Sequence, residues 1–343
     1  MLMRTKLRNA ITGTLLIFML TMVSAATAAS AQQADINAIY KAFYESYAIG
    51  NYPAALVEAQ KYEEAVKAKL GTNHANYGVA LNNLTLMYEH QDKYAEAEGL
   101  YKRALAISEQ ALGANHPDVA LILDSLAIVY VRQGKRAEVG GEMEGLYKRA
   151  LAIREQALGA NHPAVANTLH DLALMYEDQG KYAEAEGLFK RALAIEKQTY
   201  GAEEGATLHN LALLYMKQAK YTEAEEVYKR WIAVEERGFG ANSPSVAASL
   251  HNLGNVYLLH RKYAEAEGLY KRALAIREQA FGANHPKVAQ TLQNLANVNY
   301  SQGKYAEAEG MYKRALSIQE QALGANNTSV ANSLVGLAVV YNS

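Results

Sequence analysis

The side chains best suited to chemistry in this chain are nine histidines and a set of closely spaced glutamate pairs. Imidazoles could gather a metal ion or move a proton, and neighbouring carboxylates could divide the roles of general acid and base. The spacings argue against both. His170, His209 and His251 fall at one register position in three successive helical segments. Metal ligands must lie about 2 Å from a shared ion, whereas packed helix axes stand about 8–10 Å apart. Histidines stacked one per helix therefore read as a polar wall. His116, His162 and His285 each precede a proline, and His74 matches them by register, so these four read as helix caps. Glu96/Glu98, Glu184/Glu186, Glu265/Glu267 and Glu307/Glu309 are two residues apart, a separation that does not converge on a helix. They lie about four residues before Lys-Arg, which predicts solvated surface with i,i+4 ion pairs on the outer face.

No cysteine is present, which removes thiol nucleophiles, thiolate ligands and disulfides. No G-x-S-x-G, phosphate loop, H-E-x-x-H or Rossmann glycine pattern occurs in the sequence. The expectation is a protein with no catalytic activity, no metal and no cofactor.

Repetition explains why such groups recur. KYAEAEGLYKRALAI at 93–107 returns unchanged at 262–276, with close copies at 181–195 and 304–318. Gly71, Gly113, Gly159, Gly201, Gly240, Gly282 and Gly324 follow helical runs at intervals of 42, 46, 42, 39, 42 and 42 residues, a period that means a solenoid. Each unit reads as two helices. Val119, Leu123, Leu126 and Tyr130 make one apolar stripe behind His116-Pro117. A turn such as Gln179–Lys181 follows. The second helix then buries Ala97, Tyr101, Ala104, Leu105 and Ile107 in the second unit. The glycine behind it is placed to be a left-handed cap.

Leu81, Leu84, Tyr88, Ala97, Tyr101 and Ala104 stand at the spacing of a tetratricopeptide repeat. The 42-residue wording HPxVA…LxNLAxxYxxQGKYAEAExLYKRALAI resembles the kinesin light chain type of that repeat, over about residues 35–341. The resemblance implies an all-α fold, an α-solenoid in which antiparallel helix pairs stack into a right-handed superhelix with first helices lining a concave groove. About seven helix pairs and a closing helix at 328–341 are expected across residues 32–343. The pair at 35–70 is an atypical cap with Tyr40, Phe43, Tyr44, Tyr47 and Tyr52 clustered.

In domains of this type, groove asparagines hold the backbone of an extended peptide, because an amide both donates and accepts. The matching position carries Asn83, Asn210, Asn252 and Asn294, interrupted by Ser125 and Asp171; Asn255 and Asn297 follow one turn on. Arg132 and Lys217 are placed to receive an acidic side chain, and His170, His209 and His251 complete the wall. The expected function is a non-catalytic protein–protein interaction scaffold. Two other readings stay open: the repeat arm of a larger exported enzyme, such as a peptidase-linked repeat protein, or a module that self-associates through the apolar closing helix.

At the N-terminus, Arg4, Lys6 and Arg8 precede an apolar run over about residues 10–23 and then Ala29-Ser30-Ala31. That is the layout of an export signal over residues 1–31, cleaved after Ala31. The run is short of the about 20 residues a membrane span needs, so no integral span is expected after cleavage. The expected destination is a bacterial periplasm or the exterior. Cleavage moves the net charge from −1 to −4, and no basic stripe invites nucleic acid.

Three units depart from the pattern. The third carries four extra residues within 135–145, Gly140-Gly141 predicting a late helix start and Met143 replacing an alanine. The fifth shrinks to AEEGA at 202–206. Trp231 stands at an alanine position, with Gly254 of the next unit expected to make room for it.

Overall fold

Helix formation in every unit has local causes. Pro117, Pro163, Pro244 and Pro286 each occupy the first position of a helix, where a missing N–H leaves no bond unmade. The residue before supplies the cap. Nδ1 of His74, His116, His162 and His285 accepts the N–H two residues on at 3.1, 3.2, 3.2 and 3.1 Å. Asn327 Oδ1 does the same for the Ser329 N–H, and Ser243 Oγ accepts the Val246 N–H three residues on. Four of the nine histidines thus satisfy helix N-termini. At the other end, Gly113, Gly159, Gly240, Gly282 and Gly324 have φ of 81–92° but ψ of 151–157°. This is an extended backbone with positive φ, open to glycine almost alone, in place of the expected left-handed helical cap.

The computed structural model describes residues 31–135, 138–200, 205–324 and 326–343. Of the expected export signal only Ala31 falls within the described residues. Fifteen helices are present among them. The N-terminal pair is α1 (Ala31–Ala48) and α2 (Tyr52–Leu70). Next come α3 (Ala75–Glu89) with α4 (Tyr94–Leu112), α5 (Pro117–Arg132) with α6 (Gly140–Leu158), and α7 (Pro163–Asp178) with α8 (Tyr182–Tyr200). The remaining pairs are α9 (Gly205–Lys217) with α10 (Tyr221–Phe239), α11 (Pro244–Leu259) with α12 (Tyr263–Phe281), and α13 (Pro286–Ser301) with α14 (Tyr305–Leu323); α15 (Thr328–Tyr341) follows alone. Helices pack chiefly on their neighbours in sequence, the stacked-hairpin arrangement of an α-solenoid. No strand occurs among the described residues.

The chain divides into two compact units, one ending at Leu172 and one starting at Ala173, within α7. In the first, Phe43 and Tyr47 of α1 and Ala55 and Ala59 of α2 pack on Leu86 and Met87 of α3. Tyr40 meets Tyr62 at 5.2 Å and Tyr52 stacks on His90 at 3.9 Å. Farther along, Val119, Ala120 and Leu123 close on Ala150 and Ile153. The second unit repeats that contact with Val288, Ala289 and Leu292 against Ala315 and Ile318. Ala104, Ala150, Ala192, Ala273 and Ala315 are fully buried, since only a methyl group fits where helices approach this closely.

The departures resolve as follows. Helix α6 starts at Gly140 and keeps the 19 residues of α4, α8, α10, α12 and α14, so the helix itself is not lengthened by the extra residues. Met143 fills the alanine position at 1 % exposure. Helix α9 is described from Gly205 and runs over 13 residues to Lys217; residues 202–204 of the shortened AEEGA stretch lie outside the described residues. Trp231 does not pack on Gly254. It lies against Gly205, the first residue of α9, where a Cβ would come within 2.6 Å of Trp231 Nε1. The room for the indole is made by the missing side chain of Gly205, in the first helix of its own pair. Gly254 instead admits the Tyr270 ring, 2.7 Å from where its Cβ would be.

Candidate functional site

The first helices carry the side chains that change from repeat to repeat. In the first unit, α3 holds Asn83 at 3 % exposure, with its Nδ2 buried and unpartnered among the described residues. Such an amide is part of the packing. One turn on is the buried Leu86 and then Glu89, whose carboxylate accepts from the Tyr101 hydroxyl at 2.5 Å. Burial pushes the Glu89 carboxyl up to about 7 against the pull of Tyr101 and Arg132. Arg132 itself is exposed. Burial, with the Asp124 charge adding to it, also lifts Asp171 to about 7 despite Arg154. Burial lowers His170 to about 4, so its ring is neutral.

In the second unit the amides converge. Asn294 Nδ2 donates to Asn255 Oδ1 at 2.9 Å and lies 3.2 Å from His251 Nε2. The Tyr270 hydroxyl donates to the same Asn255 oxygen at 2.6 Å, and the Tyr312 hydroxyl to Asn297 Oδ1. Asn252 is half-buried and Asn210 buried. Burial, reinforced by Arg277, drives His251 down to about 3. His209 packs on Trp231 with ring centroids 4.7 Å apart. Lys217, expected to await an acidic ligand, is paired with Glu177 at 2.6 Å. Asn255, Asn294, Asn297, Gln290, Gln293, Asn332, Val335 and Val339 line a cleft of about 670 Å³ along α11, α13 and α15, together with His251, Tyr300 and Tyr312. Of the predicted residues the structure thus brings together His251, Asn255, Asn294 and Asn297. Asn83, Asn210, His209 and Lys217 have other surroundings.

Two sets of residues were not legible as stacking devices. The second helices carry a buried polar residue at one register position, and its partner is a hydroxyl of the next first helix. Arg154 donates to Thr168 and Asp124. Thr207 donates to Glu196 at 2.7 Å, Ser249 donates to Glu235, Arg277 donates to Thr291 at 2.6 Å, and Ser333 donates to Gln319 at 2.7 Å. The visible signal was variation at this one position in otherwise near-identical helices. The glutamate pairs also need correction. Glu98, Glu186, Glu225 and Glu267 keep the i,i+4 lysine. Each side chain is only 13–18 % exposed, because a lysine of the next unit (Lys135, Lys220, Lys262 or Lys304) closes on it at 2.8–3.0 Å. Lysines from both sides hold these four carboxyls down at about 2. They bind unit to unit where solvated surface was expected.

No three His, Asp or Glu among the described residues come together to hold a metal ion. No described helix is long and apolar enough to cross a membrane.

Stacked helix pairs with constant packing faces and one variable face define a repeat scaffold. Sequence comparison identifies the repeat: the tetratricopeptide repeat profile matches residues 35–110, 79–139, 141–198, 203–279, 261–321 and 288–343. The chain belongs to the tetratricopeptide repeat family, whose members are generally protein-interaction scaffolds. Among solved structures, it is similar to a putative kinesin light chain from Podosopora anserina with nearly identical repeats, at 25% identity and TM-score 0.53, over 61% of this chain and 98% of that one. A tetratricopeptide repeat protein from Parabacteroides merdae aligns at 18% identity and TM-score 0.52, over 88% of this chain and 98% of the other. The C-terminal part of a repeat protein from Cytophaga hutchinsonii aligns at 11% and 0.60, over 87% and 98%. These last two show the fold alone. No curated protein matches the sequence.

Proposed function

We propose that this protein is an exported, non-catalytic scaffold that holds an extended segment of a partner protein along its first-helix face. The observation that carries the reading is the cleft of about 670 Å³ on α11, α13 and α15. Amides from three successive first helices line it, and an amide answers a peptide unit whatever side chains that unit bears. Constant stacking positions next to changing cleft positions fit a surface whose variable part serves recognition. Export rests on the charged, apolar and small-residue order of residues 1–31.

The test is a pull-down from an envelope extract with the chain from residue 32, beside the same chain carrying Asn255→Ala, Asn294→Ala and Asn297→Ala. Both baits are first compared by circular dichroism and thermal melting. A protein kept by the first bait and lost by the folded variant supports the reading; equal capture by both places recognition elsewhere and overturns it.

A further inference from the structure

The chemistry of this cleft specifies more than a generic peptide. One residue in five of the chain is charged, yet no Lys, Arg, Asp or Glu is among the residues that line the cleft. His251 adds no charge, being held neutral down to about pH 3 by burial and Arg277. A charged side chain entering this space would lose water and gain no counter-ion, an unfavourable exchange.

The polar groups also have a set direction. Asn255 Oδ1 already accepts two hydrogen bonds, from Tyr270 and from Asn294, and Asn297 Oδ1 accepts one from Tyr312. The groups left to the cleft at these two positions are chiefly the Nδ2 donors, which call for acceptors such as backbone carbonyls. The far wall is apolar: Val335 is 63% and Val339 42% exposed. An extended strand sends successive side chains to opposite faces, so one strand can offer carbonyls to the amides and every second side chain to the valines. A glycan carries hydroxyls on all sides and would leave the valines uncovered.

We propose that the α11–α13–α15 cleft selects an uncharged stretch of extended peptide, about four residues long at the ~3.3 Å rise of a strand. Its carbonyls accept from Asn255 and Asn297, and an aliphatic side chain lies on Val335 and Val339. This rests on the peptide reading above and adds the class of sequence that is bound. Tyr270 and Tyr312 act as positioning residues, orienting the amides through their hydroxyls.

The experiment is selection of a displayed random decapeptide library on the chain from residue 32, followed by fluorescence anisotropy with the enriched peptides. The expected outcome is a run of about four positions free of Asp, Glu, Lys and Arg and containing Val, Ile or Leu. Placing one Glu or one Lys in that run weakens binding at least tenfold. With Asn297→Asp, which still accepts from Tyr312, the Lys-bearing peptide recovers and the Glu-bearing peptide weakens further; with Val335→Lys the order reverses. Enriched peptides that are charged throughout overturn the inference and leave the peptide reading standing. So do neutral peptides indifferent to both substitutions. Failure to enrich any peptide overturns the peptide reading and the inference together. Specific retention of neutral oligosaccharides on a glycan array, lost in Val335→Lys, would assign the cleft to a different class of ligand.

Discussion

At the scale of single residues, small groups decide what large ones can do. Trp231 occupies a position held by alanine in its neighbours because Gly205 of the same pair has no side chain where the indole lies. Gly205→Leu is expected to lower stability by about 1–3 kcal/mol, the usual effect of overpacking. Trp231→Ala, in a half-buried site, should lose about 2–3 kcal/mol, less than a fully buried aromatic. Urea titrations of both variants check these values, and unchanged midpoints would refute the packing assignment. Turn residues give a prediction of opposite sign. Ala219 and Arg261 have φ of 55° and 59° at the turn where other units place Gly134, Gly180 and Gly303. A left-handed conformation strains a side-chain-bearing residue by about 1–2 kcal/mol, and the added freedom of an unfolded glycine offsets part of that gain. Ala219→Gly should therefore raise stability by about 0.5–1 kcal/mol, read as a higher urea midpoint.

At the scale of helices, near-identical bricks must still meet in one order. The buried pairs Arg154–Thr168, Glu196–Thr207, Glu235–Ser249, Arg277–Thr291 and Gln319–Ser333 differ in chemistry at each junction. A junction with mismatched partners would leave a buried polar group unpaired, at about 1–3 kcal/mol. Exchanging Arg277→Glu alone should destabilise the stack strongly, since a buried carboxylate would replace a donor beside Lys287 O. The glutamate–lysine ties make a separate, pH-dependent contribution. Glu98, Glu186, Glu225 and Glu267 have folded-state carboxyls near 2, below the ordinary 4.5. A depressed carboxyl stabilises the fold above pH 4.5, and that stabilisation is lost as pH falls from 4.5 towards 2. His251, near 3 against an ordinary 6.5, contributes a loss that begins earlier, below pH 6.5. Glu89 and Asp171, both lifted to about 7, act in the other direction, favouring the fold as they take up protons below pH 7. Melting temperature should therefore change little between pH 7 and 5 and fall steeply below 4.5. Glu225→Gln should flatten that acid limb, and a limb of unaltered slope would count against the inter-unit ties.

At the scale of the whole molecule, stacking is the structure, and in the proposed function the variable first-helix positions carry specificity. Helix α15 has no charged residue, and its Leu334 is 49% exposed. Along with Val335 and Val339, this leaves an apolar edge beside the cleft. Tyr312 presses so closely on Gly336 that a Cβ there would meet the ring at 2.4 Å. Gly336→Val should push α15 away from Tyr312, weakening peptide retention without abolishing folding of the other repeats, since a solenoid unit contacts only its neighbours. Retention of an enriched peptide, measured beside the helical content of the variant, checks this.

Much of the fold was legible because its causes are local. A 42-residue period, proline behind a capping residue, apolar stripes at helical spacing and glycine after each run act within one unit, and repetition displays each several times. The candidate site was legible only in part. Register alone placed Asn83, Asn210, Asn252 and Asn294 as equivalent, but burial and neighbours differ at each. Asn294 enters the cleft because Asn255 and His251 lie beside it, whereas Asn83 is packed away. The sequence places Lys217 to receive an acidic side chain of a ligand, whereas Glu177, 40 positions earlier in the chain, already pairs with it. The sequence by itself determined the helices, their pairing and the absence of thiol chemistry, because these follow from residue type and short-range spacing. Only the tertiary structure decided which amides converge, which carboxylates tie one unit to the next and where Trp231 finds room, because those depend on distances between side chains that packing brings together from different helices.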